Sequence, residues 1–145
     1  MAQGLLRREP IDDFGEFRAY LRAERQEMAF EAFREGDGRA WLLRVPLAAR
    51  APLSALLREV SPMLLDDAGL SIDAGVLHQV SIGPTDQLAA VLIAEGDRRA
   101  FALWRQEQLR SGWSWTVDVV VVPVELAHRL CGLVLQVIER MTASP

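Results

Sequence analysis

The fold of this chain is decided by residues 113–141, which read WSWTVDVVVVPVELAHRLCGLVLQVIERM. In an extended strand, successive side chains point to opposite faces. One face of the first ten residues is wholly apolar and consists of Trp113, Trp115, Val117, Val119 and Val121. The other face becomes apolar only toward its end. This pattern predicts an interior strand in which Val119 is buried and whose end is covered on both sides.

An amphipathic helix is predicted from Pro123 to Met141. Proline cannot donate a hydrogen bond to a β-ladder, and its fixed φ suits the first turn of a helix. Apolar residues recur at spacings of three and four, namely Ala127, Leu130, Cys131, Val134, Val137, Ile138 and Met141, and Leu126, Leu133 and Leu135 widen the stripe. Because this stripe is wider than a minimal core contact needs, we expect part of it to pack against a second copy of the chain.

The first element is predicted to be a helix of about twenty residues that begins at Asp13. Asp13 and Glu16 match a capping box, and Phe14, Phe17, Leu21 and Met28 supply an apolar stripe. Gly36-Asp37-Gly38 marks its end. A short strand with Trp41, Leu43, Val45 and Leu47 on one face follows, and then a helix that opens at Pro52, is interrupted at Ser61-Pro62 and closes at Gly69.

Alternation returns between Leu70 and Ile82, where His78 shares a face with apolar residues and Gly75 permits a bulge. A turn follows at residues 83–86. Residues 88–110 allow two interpretations, because Gly96-Asp97 either precedes a helix or forms the tip of a β-hairpin. We favour the helix, which yields the β-α-β-β-α-β order of a ferredoxin-like fold, and the hairpin yields an antiparallel meander.

Both interpretations predict a single α+β domain over residues 1–145, built as a two-layer sandwich. An antiparallel sheet carries helices on one face, with one helix at the N-terminus and one at the C-terminus. The sequence shows no internal repeat. The length suffices for a core without disulfides, and Cys131 is the single cysteine.

Composition narrows the class of function. The net charge of -4 argues against nucleic acid as a partner, and no segment is apolar enough to span a membrane. All basic residues are Arg, and the chain has neither Lys nor Asn. We interpret that bias as the mark of a GC-rich bacterial genome, and we expect a cytoplasmic protein without a cofactor.

Three groups of residues have the types needed for chemistry, and each has a simpler explanation. His78 lies near Asp73 and Ser81, but strand geometry places both of these on the face opposite His78, and no G-x-S-x-G motif is present. Glu125 and His128 match the spacing of di-iron ligands, but no second Glu-x-x-His exists to complete such a site. Cys131 lies on the apolar stripe, where a thiol acts as a small hydrophobic group. We therefore predict no catalytic and no metal site.

The sequence favours a protein-binding module, such as an adaptor, a chaperone-like protein or a regulatory subunit, that forms a homodimer. Small size, acidity and abundant apolar surface are shared with dedicated secretion chaperones, although no common motif exists. The candidate partner-binding residues are His78, Trp104, Arg105, Trp113 and Trp115. The alternative is a small ligand-binding or enzymatic domain with a pocket near His78, Trp113 and Trp115.

Overall fold

A computed structural model describes residues 4–11, 15–34, 40–65, 73–95, 98–108, 112 and 114–143. This part of the chain forms an α+β fold of eight antiparallel strands and two α-helices. The strands are β1 (Gly4–Ile11), β2 (Gly15–Arg22), β3 (Glu27–Arg34), β4 (Ala40–Pro46), β5 (Gly75–Ser81), β6 (Asp86–Glu95), β7 (Arg98–Gln108) and β8 (Ser114–Pro123). The helices are α1 (Arg50–Val60) and α2 (Ala127–Ala143).

The order of strands in the sheet is β1-β2-β3-β4-β8-β7-β6-β5. Each half of the chain therefore contributes four consecutive antiparallel strands followed by one helix. The two halves meet at β4 and β8, which share a single register pair, Leu42 with Val119. Read from the other edge, the strand order is the same with the two halves exchanged. The fold therefore has an internal pseudo-two-fold axis, which passes through this pair.

The two halves agree in detail, which corrects the expectation that the chain contains no repeat. Gly4 pairs with Leu21 in the first half, and Gly75 pairs with Leu92 in the second. One step further, the register shifts between Leu5 and Arg7 in β1 and between Val76 and His78 in β5. A proline ends both β4 and β8, and in each half a 3-10 turn then leads into the α-helix. The two halves thus share the same backbone arrangement, including the position of a β-bulge.

One hydrophobic core joins the two helices to the sheet. Alternate strand residues and the apolar faces of α1 and α2 belong to a single buried cluster, whose large members include Phe17, Phe30, Phe101, Leu43, Leu53, Leu92 and Leu130. We call the side of the sheet that carries these residues the helix side and the other the open side. On β7, for example, Phe101 and Leu103 lie on the helix side, and Ala102 and Trp104 lie on the open side.

The prediction of a helix near the N-terminus is wrong, because residues 15–34 form the β2–β3 hairpin. Phe17 and Ala19 in β2, and Met28 and Phe30 in β3, are buried with the two-residue period of strands. Phe17 and Leu21, four residues apart with the small Ala19 between them, also fit a helical spacing. The turn is made by Gln26, which adopts a left-handed conformation (φ 52°) and donates its backbone N–H to the Ala23 carbonyl.

The favoured prediction of a helix over residues 97–110 is also wrong. β6 and β7 form a long hairpin, as the alternative interpretation of this segment predicted. Arg105 pairs with Leu88 and Phe101 with Leu92 on the helix side of this hairpin. The ferredoxin-like order consequently does not describe the chain. The predicted stops at Gly36-Asp37-Gly38, Gly69 and Gly96-Asp97 lie outside the described residues.

The strand and the helix at the end of the chain are present, but the faces of the strand are exchanged. Val120 and Val122 are buried on the helix side, and Val119 is only partly buried on the open side. A bulge at Val117 shifts the register against β7, so the alternation does not run unbroken from Trp115. The wide stripe of α2 is buried within its own chain, and it therefore no longer argues for a second copy.

Candidate functional site

The open side of the sheet differs between the two halves, although their backbones match. In the first half it carries charged residues from neighbouring strands. Arg8 contacts Glu16, Arg18 Nε lies 2.7 Å from Glu16 Oε1, and Arg18 Nη1 lies 3.5 Å from Glu31 Oε1. These hydrogen bonds lower the pKa of Glu16, with Arg18 as the main cause. Ladders of opposite charges such as this one suit a sheet surface in water.

In the second half, the positions equivalent to Arg18 and Glu31 are apolar, and those equivalent to Arg8 and Glu16 are the uncharged Gln79 and Gln87. Residues of β6, β7 and β8 form what we call the apolar sheet surface, which consists of Ala89, Val91, Ile93, Ala102, Trp104, Val119 and Val121 and continues to Leu42 and Val76. By register, Ala89 stands where the first half has Arg18, and Trp104 stands where it has Glu31. Leu42 is 40 % exposed and Val76 is 55 % exposed. Charged positions of the first half are thus uncharged in the second, and those equivalent to Arg18 and Glu31 are apolar.

Small side chains in the middle of the apolar sheet surface are shielded by larger neighbours. Ala89 pairs with Trp104, and Ala102 pairs with Val121. Both alanines are almost inaccessible, yet neither belongs to the core cluster on the helix side. Sequence reasoning missed this surface because it assigned Val119 and Val121 to the core. The available signal was that β6 is apolar on both faces, as a strand covered on both sides would be.

A buried ion-pair cluster lies where β4 and β8 diverge. Asp118 accepts hydrogen bonds from the Arg44 backbone N–H (3.1 Å) and from Arg44 Nε (3.1 Å) and Nη2 (3.0 Å), and Arg105 Nη2 lies 3.3 Å away. Burial raises the pKa of Asp118, but the Arg44 hydrogen bonds and the Arg105 charge outweigh it, so the pKa is lowered overall. The carboxylate satisfies a backbone donor that the short β4–β8 ladder leaves free. Both arginines pair with the one carboxylate of Asp118, so we interpret this cluster as structural.

The predicted site residues are not gathered into one pocket. Trp104 lies on the open side, where its indole Nε1 is buried without a hydrogen-bond partner among the described residues, and Arg105 lies on the helix side in the ion-pair cluster. Trp115 is 50 % exposed and pairs with Glu107 near the end of β8. Trp113 lies outside the described residues.

His78 is on the edge strand β5, three strands away from Trp115 on β8. It pairs with Ala90, so it faces the helix side, and no hydrogen bond joins its ring to another described residue. Since neighbouring strands lie about 4.8 Å apart, β5 and β8 are separated by about 14 Å. Ser81 points to the open side, where its hydroxyl donates to the Gly83 carbonyl (3.0 Å). The register therefore keeps His78 apart from both Ser81 and Trp115.

The remaining candidates for chemistry have structural surroundings. His128 Nδ1 lies 3.1 Å from both the hydroxyl and the carbonyl oxygen of Ser61, which ties α2 to the end of α1. Cys131 is fully buried, and burial raises its pKa to about 12. Among the described residues, no group of three or more His, Cys, Asp or Glu side chains is arranged to hold a metal ion.

Two grooves lie away from all the predicted site residues. One, of about 780 Å³, runs between α1 and α2 and is lined by Ala51, Ser54, Arg58 and Ile138 among others. The other, of about 380 Å³, lies between β1 and the last turns of α2, at Leu6 and Met141. Neither groove contains a set of groups suited to acid–base or nucleophilic chemistry, so the apolar sheet surface is the strongest candidate site.

No known protein family matches this chain, and no curated protein matches it in sequence. Within the described ranges, no helix is both long enough and apolar enough to cross a lipid bilayer.

Proposed function

We propose that this protein is a non-enzymatic protein-binding module, of the adaptor, chaperone-like or regulatory kind, that binds an apolar region of its partner on the apolar sheet surface. The single observation that supports this function is the contrast between the halves. In the first half, the open side of the sheet carries paired charged side chains from β1, β2 and β3. The second half places Ala89 and Trp104 where the first has Arg18 and Glu31, and it places the uncharged Gln79 and Gln87 where the first has Arg8 and Glu16.

Physical chemistry supports the assignment, because the exposed side chains of Leu42 and Val76 and the partly exposed Trp104 leave apolar area in water, and such area favours burial against another surface. Burial of apolar area contributes about 25 cal/mol per Å², and contiguous exposed apolar patches mark interaction sites. Trp104 provides the kind of aromatic anchor that dominates binding energies at protein interfaces. We also propose a two-layer arrangement with both helices on the helix side and a cytoplasmic location, which fits a chain with a single, buried cysteine.

The experiment uses site-specific photo-crosslinking in the native host. A photoreactive residue at position 42, within the apolar sheet surface, is compared with one at position 20. Tyr20 lies on the same side of the sheet but in the charged half, so it is a matched control. We expect a crosslinked partner from position 42 and none from position 20.

A second arm tests the chemistry of the surface. Ile93→Glu adds a charge to the apolar sheet surface at a partly exposed position, and Tyr20→Glu adds the same charge to the other half. We expect the first variant to lose the crosslink from position 42 and the second to keep it, with both proteins folded by circular dichroism. Crosslinks that survive Ile93→Glu, or that come equally from both positions, would show that the surface is not the binding site.

A further inference from the structure

The two edges of the sheet are β1 and β5, and their outward backbone groups can be identified. In an antiparallel ladder, alternate residues bond to the neighbouring strand and the residues between them direct their N–H and C=O outward. The Ile82 N–H donates to the Asp86 carbonyl (3.0 Å), which sets the phase of the β5–β6 ladder. Val80 and His78 therefore bond to β6, and Gln79 and Ser81 present their backbone groups to the free edge.

The equivalent outward positions of β1 are Arg8 and Pro10, and there the edge is blocked. Pro10 has no N–H to donate, and its carbonyl accepts a hydrogen bond from Arg129 Nη2 of α2 (3.0 Å). Arg129 also lies 3.6 Å from Glu9 Oε1. Proline and charged side chains are the usual means by which proteins prevent an edge strand from pairing.

β5 has none of these features. From Gly75 to Ser81 it contains no Pro, Asp, Glu, Lys or Arg, and both of its outward residues, Gln79 and Ser81, keep their N–H groups and are exposed. Since the two edges are related by the internal repeat, the difference lies in the side chains and not in the backbone. Within the part of the chain that the structure describes, one edge of this sheet is protected and no such protection is present at the other.

We infer that β5 pairs antiparallel with β5 of a second copy of this chain, about a two-fold axis at Val80. Two outward residues spaced two apart are self-complementary under such an axis. Gln79 exchanges backbone hydrogen bonds with the partner's Ser81, and Ser81 exchanges them with the partner's Gln79. Although each chain has a net charge of -4, no charged side chain of β5 meets its own copy across the axis.

This dimer extends the proposed function, and the role that we assign to it depends on that function. In each copy, β5 is the edge of the apolar half of the sheet, and Val76 continues the apolar sheet surface onto it. Pairing through β5 therefore sets two apolar sheet surfaces side by side, with the charged halves at the outer ends. Pairing through β1 would instead have joined the charged halves.

The test is sedimentation velocity of the full chain from low to high micromolar concentration, with three variants. We expect the unaltered protein to show a monomer–dimer equilibrium. Gln79→Pro removes one outward N–H from each copy without breaking the β5–β6 ladder, and we expect it to raise the dimer Kd about tenfold or more, because the dimer loses two hydrogen bonds. Arg8→Pro makes the same change at the equivalent position of β1 and should leave the Kd unchanged.

Gln79→Lys is the third variant and serves if Gln79→Pro fails to fold. It places like charges near the axis, and we expect a weakened dimer that high salt partly restores. An unaltered protein that stays monomeric at all concentrations would overturn the inference, as would equal effects of Gln79→Pro and Arg8→Pro. Crosslinking from position 42 is scored separately, so an unaltered protein that stays monomeric but still crosslinks from position 42 would refute strand pairing and leave the apolar sheet surface in place.

Discussion

The exchange of faces along β8 leads to a sharp prediction about two adjacent valines. Val120 is 2 % exposed and lies among the core residues of the helix side, whereas Val119 is partly exposed on the open side. Val120→Asp removes about 2 kcal/mol of apolar burial and places a carboxylate without a partner in the core, which costs several kcal/mol more. The sum approaches the free energy of unfolding of a whole domain, which is about 5–15 kcal/mol. Val119→Asp costs much less, because water reaches the new carboxylate.

The assay is urea denaturation followed by circular dichroism at neutral pH. We expect Val120→Asp to show no cooperative transition, and Val119→Asp to unfold cooperatively at a moderately lower midpoint. Val120→Ala separates the two contributions, because it removes apolar burial without adding a charge, and it should fold. A cooperative Val120→Asp protein beside an unfolded Val119→Asp protein would show that the two sides of β8 are assigned in reverse.

Three further predictions concern other parts of the core. Asp118→Asn should destabilise the fold by about 3–5 kcal/mol, because two arginines lose their buried counter-charge. Since the pKa of Asp118 is lowered in the folded state, the stabilisation by its carboxylate is fully present above the unfolded pKa near 3.8 and is lost as pH falls through the folded pKa. Urea denaturation midpoints measured across acidic pH will show this loss. Cys131 should react with a thiol reagent only as fast as the native protein opens, since burial raises its pKa to about 12; rapid modification without denaturant would contradict its placement. Gly15→Ala should lower the melting temperature markedly, because a Cβ there would lie 1.9 Å from the Phe33 carbonyl oxygen at a φ of +157°, and an unchanged melting temperature would contradict this register of β2 and β3.

The sequence predicted the fold class and the C-terminal helix, because α2 has a long and regular apolar period. It did not predict the β2–β3 hairpin, since Phe17, Leu21 and Met28 satisfy a helical spacing as well as the strand alternation that the structure shows. The phenylalanine at position 30, which did not fit the helical stripe, was the signal for strands. Pairing of each strand with its neighbours decided this segment, and the local apolar spacing does not display such pairing.

The candidate site was predicted only in part. Trp104 was identified from its aromatic character, but its neighbours across the sheet depend on register. The bulge at Val117 separates Trp115 from the face of Val119, and no local pattern reveals a bulge. The internal repeat was hidden for a related reason, because its equivalent residues share backbone roles while Arg18 and Ala89 have opposite chemistry.

The single Leu42–Val119 pair between the halves has a consequence for folding kinetics. Every other strand pairing in the described sheet joins strands that follow one another in sequence, so most of the ladder can form locally. Only the meeting of β4 with β8 requires the chain to close a long loop, whose entropic cost rises slowly with its length. We therefore expect the six pairings between consecutive strands to form quickly and the pairing of β4 with β8 to limit the rate of folding.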